Sequence, residues 1–538
     1  MRGLRFILDY PKLSVALCLL LTAFFGAQLG GLQTNPSSYL LDSRHPARVI
    51  DSDMLNLFNG TGASLTIVIK PETGNVYQTP LLERVNQLTA EFERLNLTNE
   101  QDVTALQQLA ARTGTQAQAD AILENGLQAD DTQAIDTLLQ SLQQRSAKKF
   151  AADIQFLSQL KLLADPVSRV RSLTTAEDLE DIDDNLESVL LLDDIPRDDA
   201  AFAQLRAALE ANPMLLGTYV SKDHQATSIQ IEMRARPDNA SLVARAHEKV
   251  MTIVEAFEAA EPGYRVSVGG STVIFSVLAK YIQEDNNRFF PLVLLVIITI
   301  LALSFRNLEG VLLTLLVAIV SLVSTLGLLP LLDRQQNMIT TMIPIFIMAA
   351  SVADAIHFLT HFYRQYASNG QQLRPAIETT YSSLFRAMTF TSITTALGFL
   401  SLSYTDIVFV KEFGVFVAAG VIFAYAYTLV LIPALLMLRK KRKLLLAEHK
   451  QSGLILGFCT LAQRLGSVSL HKRGLATVAL LVIAAGSAYL AQQVRVDYEG
   501  IIMYPEDSQV RQDDAAIKEH FKGLSPLSIR LMGKEPGA

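Results

Sequence analysis

The 538-residue sequence is poor in cysteine: it has only Cys18 and Cys459, and the long stretch 33–285 has none. No disulfide can staple that stretch, so its fold has to rest on its own apolar core. Cys18 follows Leu17, where a lipoprotein signal would want a small residue, and is read as a lipid-facing or packing residue. The chain also lacks a Gly-rich phosphate loop, a Gly-x-Ser-x-Gly elbow and any Cys/His cluster at metal-ligand spacing. Enzyme chemistry, cofactors and metals are therefore not expected, and any transport would draw on an ion gradient. Charge is scarce in blocks. The stretches 13–41, 289–305, 310–332, 335–353, 387–405, 413–438 and 474–494 contain no Asp, Glu, Lys or Arg. Each can cross a hydrocarbon core of about 30 Å at about 1.5 Å per residue, so seven membrane helices are expected.

What charge there is falls unevenly. With the N-terminus inside, the inner connections hold sixteen Lys or Arg, nine of them between Arg439 and Arg473, against Arg334 and Lys411 in the short outer loops. Basic residues stay on the cytoplasmic side, so this asymmetry puts the segment between the first two helices outside, in the periplasm if the membrane is a bacterial inner membrane. That segment, 33–285, holds 37 acids against 21 bases. The net charge of −7 therefore conceals an acidic soluble domain beside a basic membrane domain, and an acidic domain is a poor partner for nucleic acid.

Alternating patterns predict strands over 64–70, 217–221, 227–234 and 264–268, and 3.6-residue patterns predict helices over 80–95 and 240–259. If 96–213, largely helical in pattern, is an insertion, the order βα, ββ, αβ is that of a split βαβ unit, making this an α+β domain on an α-helical polytopic membrane protein. The acidic run Glu177–Asp199 reads as a solvated helix face with Thr175 as its N-cap, since it lacks the Gly-centred spacing of a calcium loop.

A repeat with a 463-residue offset lays Arg48, Asp51, Phe58, Gly60, Glu72 and Gly74 on Arg511, Asp514, Phe521, Gly523, Glu535 and Gly537. The same offset superposes helix one (1–32) on helix seven (474–494), so helix one is expected to stay in the membrane as the start of a module. Helices two to six (286–438) complete that module, 439–473 forms a basic cytoplasmic connection, and 495–538 opens a second external domain. A second polypeptide, or a longer chain, is expected to supply the remainder, and an oligomer is compatible with this plan.

Asp354 interrupts the fourth apolar segment. A charge at membrane depth costs at least ~2.5 kcal/mol, which marks it as a functional candidate. His357 and His361 follow at i+3 and i+7, within roughly a 60° arc of one helix face. Helix five offers Thr389, Thr391, Ser392, Thr394 and Thr395, whose hydroxyls either bond across helices or simply permit close packing. Thr391, Thr394, Thr395 and His361 are the candidate supports of a site built on Asp354 and His357, although His361, near the helix end, also suits an interfacial position. Gly398, Gly414 and Gly420 suit close packing.

The stretches GGSTVIFSVL (269–278), SFRNLEGVLLTLL (304–316), ASVADAIHFLTHFYR (350–364), TSITTALGFLSLS (391–403), FGVFVAAGV (413–421) and LIPALL (431–436) together resemble the resistance-nodulation-division superfamily of exporters. The nearest branch is that of the mycobacterial-membrane-protein-large and hopanoid-type lipid transporters. The resemblance implies proton-driven export of lipids or other hydrophobic molecules, with the proton-relay carboxylate at Asp354 and a recurring histidine at His357. Many relatives carry Tyr after the Asp, where this chain has Ala355. Helices two to six also resemble the five-helix sterol-sensing unit, which implies lipid sensing, and the six-helix plan is shared with Sec-type translocation accessories.

Overall fold

The structure is a computed structural model that describes residues 2–32, 44–50, 53, 63–124, 127, 132–146, 149–182, 185–234, 239–305, 307–439, 460, 463–464, 466–467, 471–494 and 500–521. Cys459, most of the basic connection, Asp183 and Asp184, and the repeat positions Asp51, Phe58, Gly60, Gly523, Glu535 and Gly537 lie outside these residues.

The chain starts with two helices, α1 (Arg2–Asp9) and α2 (Pro11–Gln28). Leu4 and Leu8 of α1 are buried in the bundle core, and Arg374 pairs with Asp9 at 2.9 Å. An α/β domain follows. Its elements are β1 (Ser64–Pro71), α3 (Thr79–Glu93), α4 (Glu100–Thr113), α5 (Gln116–Glu124), α6 (Thr132–Ser146), α7 (Ala151–Ala164), β2 (Val167–Arg171), β3 (Glu177–Ile182), β4 (Asn185–Leu190), α8 (Asp199–Ala211), β5 (Thr227–Met233), α9 (Ala240–Ala260) and β6 (Tyr264–Gly269). The main sheet has the order β2-β5-β1-β6, with every described pairing antiparallel. Two βα units that interleave in one sheet give this order, the split βαβ arrangement. Alternate residues of β1 and β5, among them Leu65, Ile67, Ile69, Ile229 and Ile231, are fully buried against Leu81, Val85 and Phe92 of α3 and Leu242, Ala246 and Val250 of α9. The two-residue period of the strands and the 3.6-residue period of the helices meet in one core.

Three sequence expectations fail inside this domain. Residues 217–221 form turns with isolated bridges, and the second strand of the sheet is β2, from within the stretch expected to be a helical insertion. The helices α4 to α7 do build a separate core of their own around Leu106, Leu109, Ile135, Leu138, Leu157 and Leu160. The acidic run is a β3–β4 hairpin followed by α8, whose N-cap is Asp198, accepting from the Ala201 N–H at 2.8 Å. A helix through 177–187 would stack Glu177 on Asp181 and Asp183 on Glu187, like charges at i,i+4, and its Asp and Asn are weak helix formers; the hairpin spreads those pairs along its strands, although its register sets Glu180 opposite Glu187.

At Gly270 the chain turns from β6 into the long helix α10 (Ser271–Phe305); its φ of +107° and the contact any Cβ there would make with Ser64 O leave only glycine. The bundle continues with α11 (Leu308–Leu331), α12 (Ile343–Ser368), α13 (Leu373–Leu400) and α14 (Val408–Leu438). Helix α14 is the most enclosed, packed by α2, α11, α12 and α13. Lipid tails are as apolar as the side chains, so close packing and polar contacts, more than water exclusion, hold such helices together. Gly327 shows this: a Cβ would overlap Phe25 O, so its absence lets α2 lie against α11. Thr22, Ser324 and Tyr427 join hydroxyls across the α2–α11–α14 contact at 3.1 and 2.8 Å. Cys18 is buried in the same core, while Gly398, expected at a packed position, faces open space.

Beyond 439 come α15 (Arg473–Ala491), with no buried residue, and α16 (Gln509–His520), which returns to the α/β domain and seats on β6. Six of the described helices are long and apolar enough to cross a membrane: α2, α10, α11, α12, α14 and α15. Helix α13, expected as the fifth span, is not among them, because Arg374, Glu378, Arg386 and a run of Thr and Ser lie within its 28 residues; it nevertheless packs between α12 and α14.

Candidate functional site

Asp354 lies near the middle of α12, a 26-residue helix that starts with Pro344 in its first turn, where the missing N–H would have no partner anyway. One face of α12 is fully buried through Ile347, Ser351, Ala355, Phe358, Leu359 and Phe362. Asp354 stands at the border of that face, half-buried, and His357 lies one turn further on the exposed side. The carboxylate meets α13 through Ser392, whose Oγ donates to Asp354 Oδ2 at 3.5 Å. His361 is half-buried and approaches Thr380 of α13, Nδ1 to Oγ1, at 3.4 Å.

The three threonines expected to support a relay do not reach it. Thr391 Oγ1 donates back to Ala387 O and Met388 O, Thr394 Oγ1 to Phe390 O and Thr391 O, and Thr395 is exposed. In helices a threonine hydroxyl commonly bonds the carbonyl one turn back, which needs no neighbour at all. The hydroxyl the sequence reading passed over as a relay group is Ser392. Its signal was the i,i+4 row of Met388, Ser392 and Ala396, the buried seam of α13.

Helices α11 to α14 hold one acid each. Glu309 pairs with Arg439 at 3.3 Å, Glu378 with Arg374 at 3.2 Å and Glu412 with Arg334 at 3.2 Å, Glu412 also accepting from Asn337 Nδ2 at 2.8 Å. Those three lie near helix ends, within reach of water and of the charged connections. Asp354 is mid-helix and, among the described residues, has no arginine or lysine ion pair. A carboxylate without a fixed cation can exchange a proton without first breaking an ion pair, which the other three cannot do.

The arrangement of a large α/β domain followed by α10 to α14, with Asp354 in the third helix of that set, can be compared with known proteins. The MMPL family, part of the resistance-nodulation-division superfamily, matches residues 94–455, more than half of the chain. The chain belongs to the MMPL family. The match covers the whole of α10 to α14 and so includes Asp354, His357 and Ser392. The chain is also similar to a protein of Methanocaldococcus jannaschii described as a membrane protein, with 27% identity over 180 residues, which is 34% of this chain and 46% of the relative. The chain thus matches about half of that relative's length.

Proposed function

We propose that this MMPL-family chain works in proton-driven export of lipids or other hydrophobic molecules from a bacterial inner membrane, with Asp354 as the group that takes up and releases the proton. One observation carries this reading: of the four acids in α11 to α14, three are held by arginines and Asp354 is not. The charged and neutral forms of an unpaired acid at that depth need different neighbours, so protonation biases one packing of α12 against α13 over another. A paired acid, neutralised in place, exerts no such bias. Ser392 can donate to the charged form and accept from the neutral one, following the carboxyl through both states. His357 and His361 extend the titratable stripe toward the end of the bundle away from the α/β domain. The α/β domain, on the extracytoplasmic side, receives the cargo.

Reconstituted with a membrane that holds a proton gradient, Asp354→Asn is expected to lose gradient-dependent lipid transfer while inserting normally, because the amide keeps the shape but cannot cycle a proton. Transfer at the wild-type rate across the pH range would end this reading. Orientation has its own check. A cysteine at Gln108 of α4 should react with an impermeant thiol reagent added from outside, and one at Gln371, between α12 and α13, should not; the reverse pattern would invert the topology.

A further inference from the structure

Helix α13 is held unequally by its two neighbours. Toward α12 its polar contacts are long, Ser392 to Asp354 at 3.5 Å and Thr380 to His361 at 3.4 Å. Toward α14 the contact is short: Thr389 Oγ1 and the Tyr425 hydroxyl lie 2.7 Å apart, and Thr389 Oγ1 also lies 2.6 Å from Phe385 O, one turn back in its own helix. A threonine has one hydroxyl hydrogen. Phe385 O takes it, so Tyr425 is the donor to Thr389 and Thr389 the acceptor. Further along α13, Gly414 of α14 lets the Phe399 carbonyl come so close that a Cβ would overlap it.

Apolar packing does little to fix the rotation of α13. Its buried mid-helix row is Met388, Ser392 and Ala396, two of them small, which gives few ridges to lock one angle against the next. Asp354 cannot decide the rotation either, because Thr391 and Ser392 are adjacent and both carry a hydroxyl. The Tyr425 hydroxyl can. A slip of α13 by one residue brings Met388 or Phe390 to the place of Thr389, and either one deprives the tyrosine of its acceptor inside an apolar bundle, where a lone hydroxyl is costly. Tyr425 itself stands in a fixed frame, since Tyr427, about 200° further round α14, is bonded to Thr22 of α2 and Ser324 of α11. We infer that Tyr425 is a positioning residue for Asp354: through Thr389 it holds α13 in the packing on α12 that turns Ser392, and not Thr391, toward the carboxylate. The inference adds a residue to the proton site of the export reading and rests on that reading for its function.

The test measures that rotation directly, on the full chain in phosphatidylcholine nanodiscs with no gradient applied. Asp354→Cys is combined with Ser392→Cys in one variant and with Thr391→Cys in another, each is oxidised with copper phenanthroline, and the linked peptides are identified by mass spectrometry, so Cys18 and Cys459 stay in place. With Tyr425 present, the pair that includes Ser392→Cys is expected to close several-fold faster than the pair that includes Thr391→Cys. Tyr425→Phe should bring the two rates together. Thr389→Val, which keeps the side-chain shape, should do the same and carries the test if Tyr425→Phe fails to fold, whereas Thr389→Ser keeps the hydroxyl and should preserve the preference. Equal rates in the chain with Tyr425, a preference that survives either Tyr425→Phe or Thr389→Val, or an equal slowing of both pairs, which is mere loosening of the bundle, would overturn the inference. Because cross-linking needs no gradient, the inference can fail while Asp354→Asn still abolishes transport, or hold where that substitution leaves transport intact.

Discussion

Asp102 and Asp354 are both acids set among apolar residues on helices, yet their surroundings differ in kind. Asp102, in the α/β domain, closes a capping box at the start of α4, accepts from the Asn99 N–H at 2.9 Å and receives the Arg245 guanidinium through both of its terminal nitrogens. Arg245 in turn donates to Leu97 O, so α9 is tied to α4 through this one carboxylate. Asp354, in the bundle, has the Ser392 hydroxyl at 3.5 Å. An acid whose two oxygens hold three hydrogen bonds, two of them from a guanidinium, is a structural joint, whereas an acid with one distant donor is held far more loosely. In a domain that water reaches, burial of a charge is tolerated by pairing it, whereas the bundle pairs three acids near helix ends and leaves the one at mid-depth without an arginine or lysine ion pair among the described residues.

The contrast breaks most visibly by substitution at both sites. Asp354→Asn is expected to lower gradient-driven transport by more than about 100-fold with little change in folding, as removal of a proton-transfer group does. Asp102→Ala should do the opposite, lowering the stability of the α/β domain to denaturant by about 2–3 kcal/mol through the lost charged hydrogen bonds and cap, while transport per folded molecule is kept. If Asp102→Ala removed transport without loss of stability, the division into joint and switch would be wrong.

A third acid lies between these two. Asp513 of α16 is bonded to the Val268 N–H and Ser267 on the free edge of β6 and to Gln509 Nε2 at 3.0 Å. Burial, with a smaller contribution from the nearby Glu258, which itself caps the Val266 N–H at 3.0 Å, raises its pKa to about 6 in spite of those hydrogen bonds. A carboxyl whose pKa is higher when docked than when free binds more protons in the docked state. The seating of α16 on β6 is therefore fully supported below the ordinary value near 3.8 and is expected to weaken as pH rises through about 6. Hydrogen exchange at the Val268 amide, corrected for its intrinsic pH dependence, should quicken from pH 5 to pH 7.5, and Asp513→Asn should flatten that trend.

The smallest contrast is within α13. Ser392→Ala is expected to slow transport about three- to tenfold, the worth of one neutral hydrogen bond, and Thr395→Ala to leave it unchanged. Equal effects in transport assays would return the threonine row to the site.

Much of this was legible in the chain. Asp354 stood out because a charge within an apolar run is rare whatever the fold, and the strands from Ser64, Thr227 and Tyr264 announced themselves by alternation. The acidic hairpin did not, because a run of charges gives no apolar period from which to choose between helix and strand. Nor did β2: five residues, Val-Ser-Arg-Val-Arg, form a strand only because β5 offers an open edge for them to pair with.

By itself the sequence determined the membrane character, three of the four strands of the split βαβ sheet with both of its helices, and the acid at mid-helix, all of which follow from local composition and period. Tertiary structure alone decided which hydroxyl faces that acid, which acids are neutralised by arginines and where α16 seats. Those depend on how helices rotate about their axes and which distant residues meet, as Ser392 meets Asp354 across 38 positions and Asp513 meets β6. A rotation of about 100° per residue separates the Thr391 hydroxyl, bonded to its own helix, from the Ser392 hydroxyl that reaches the carboxylate, and only the packing of α13 on α12 fixes which of the two it is.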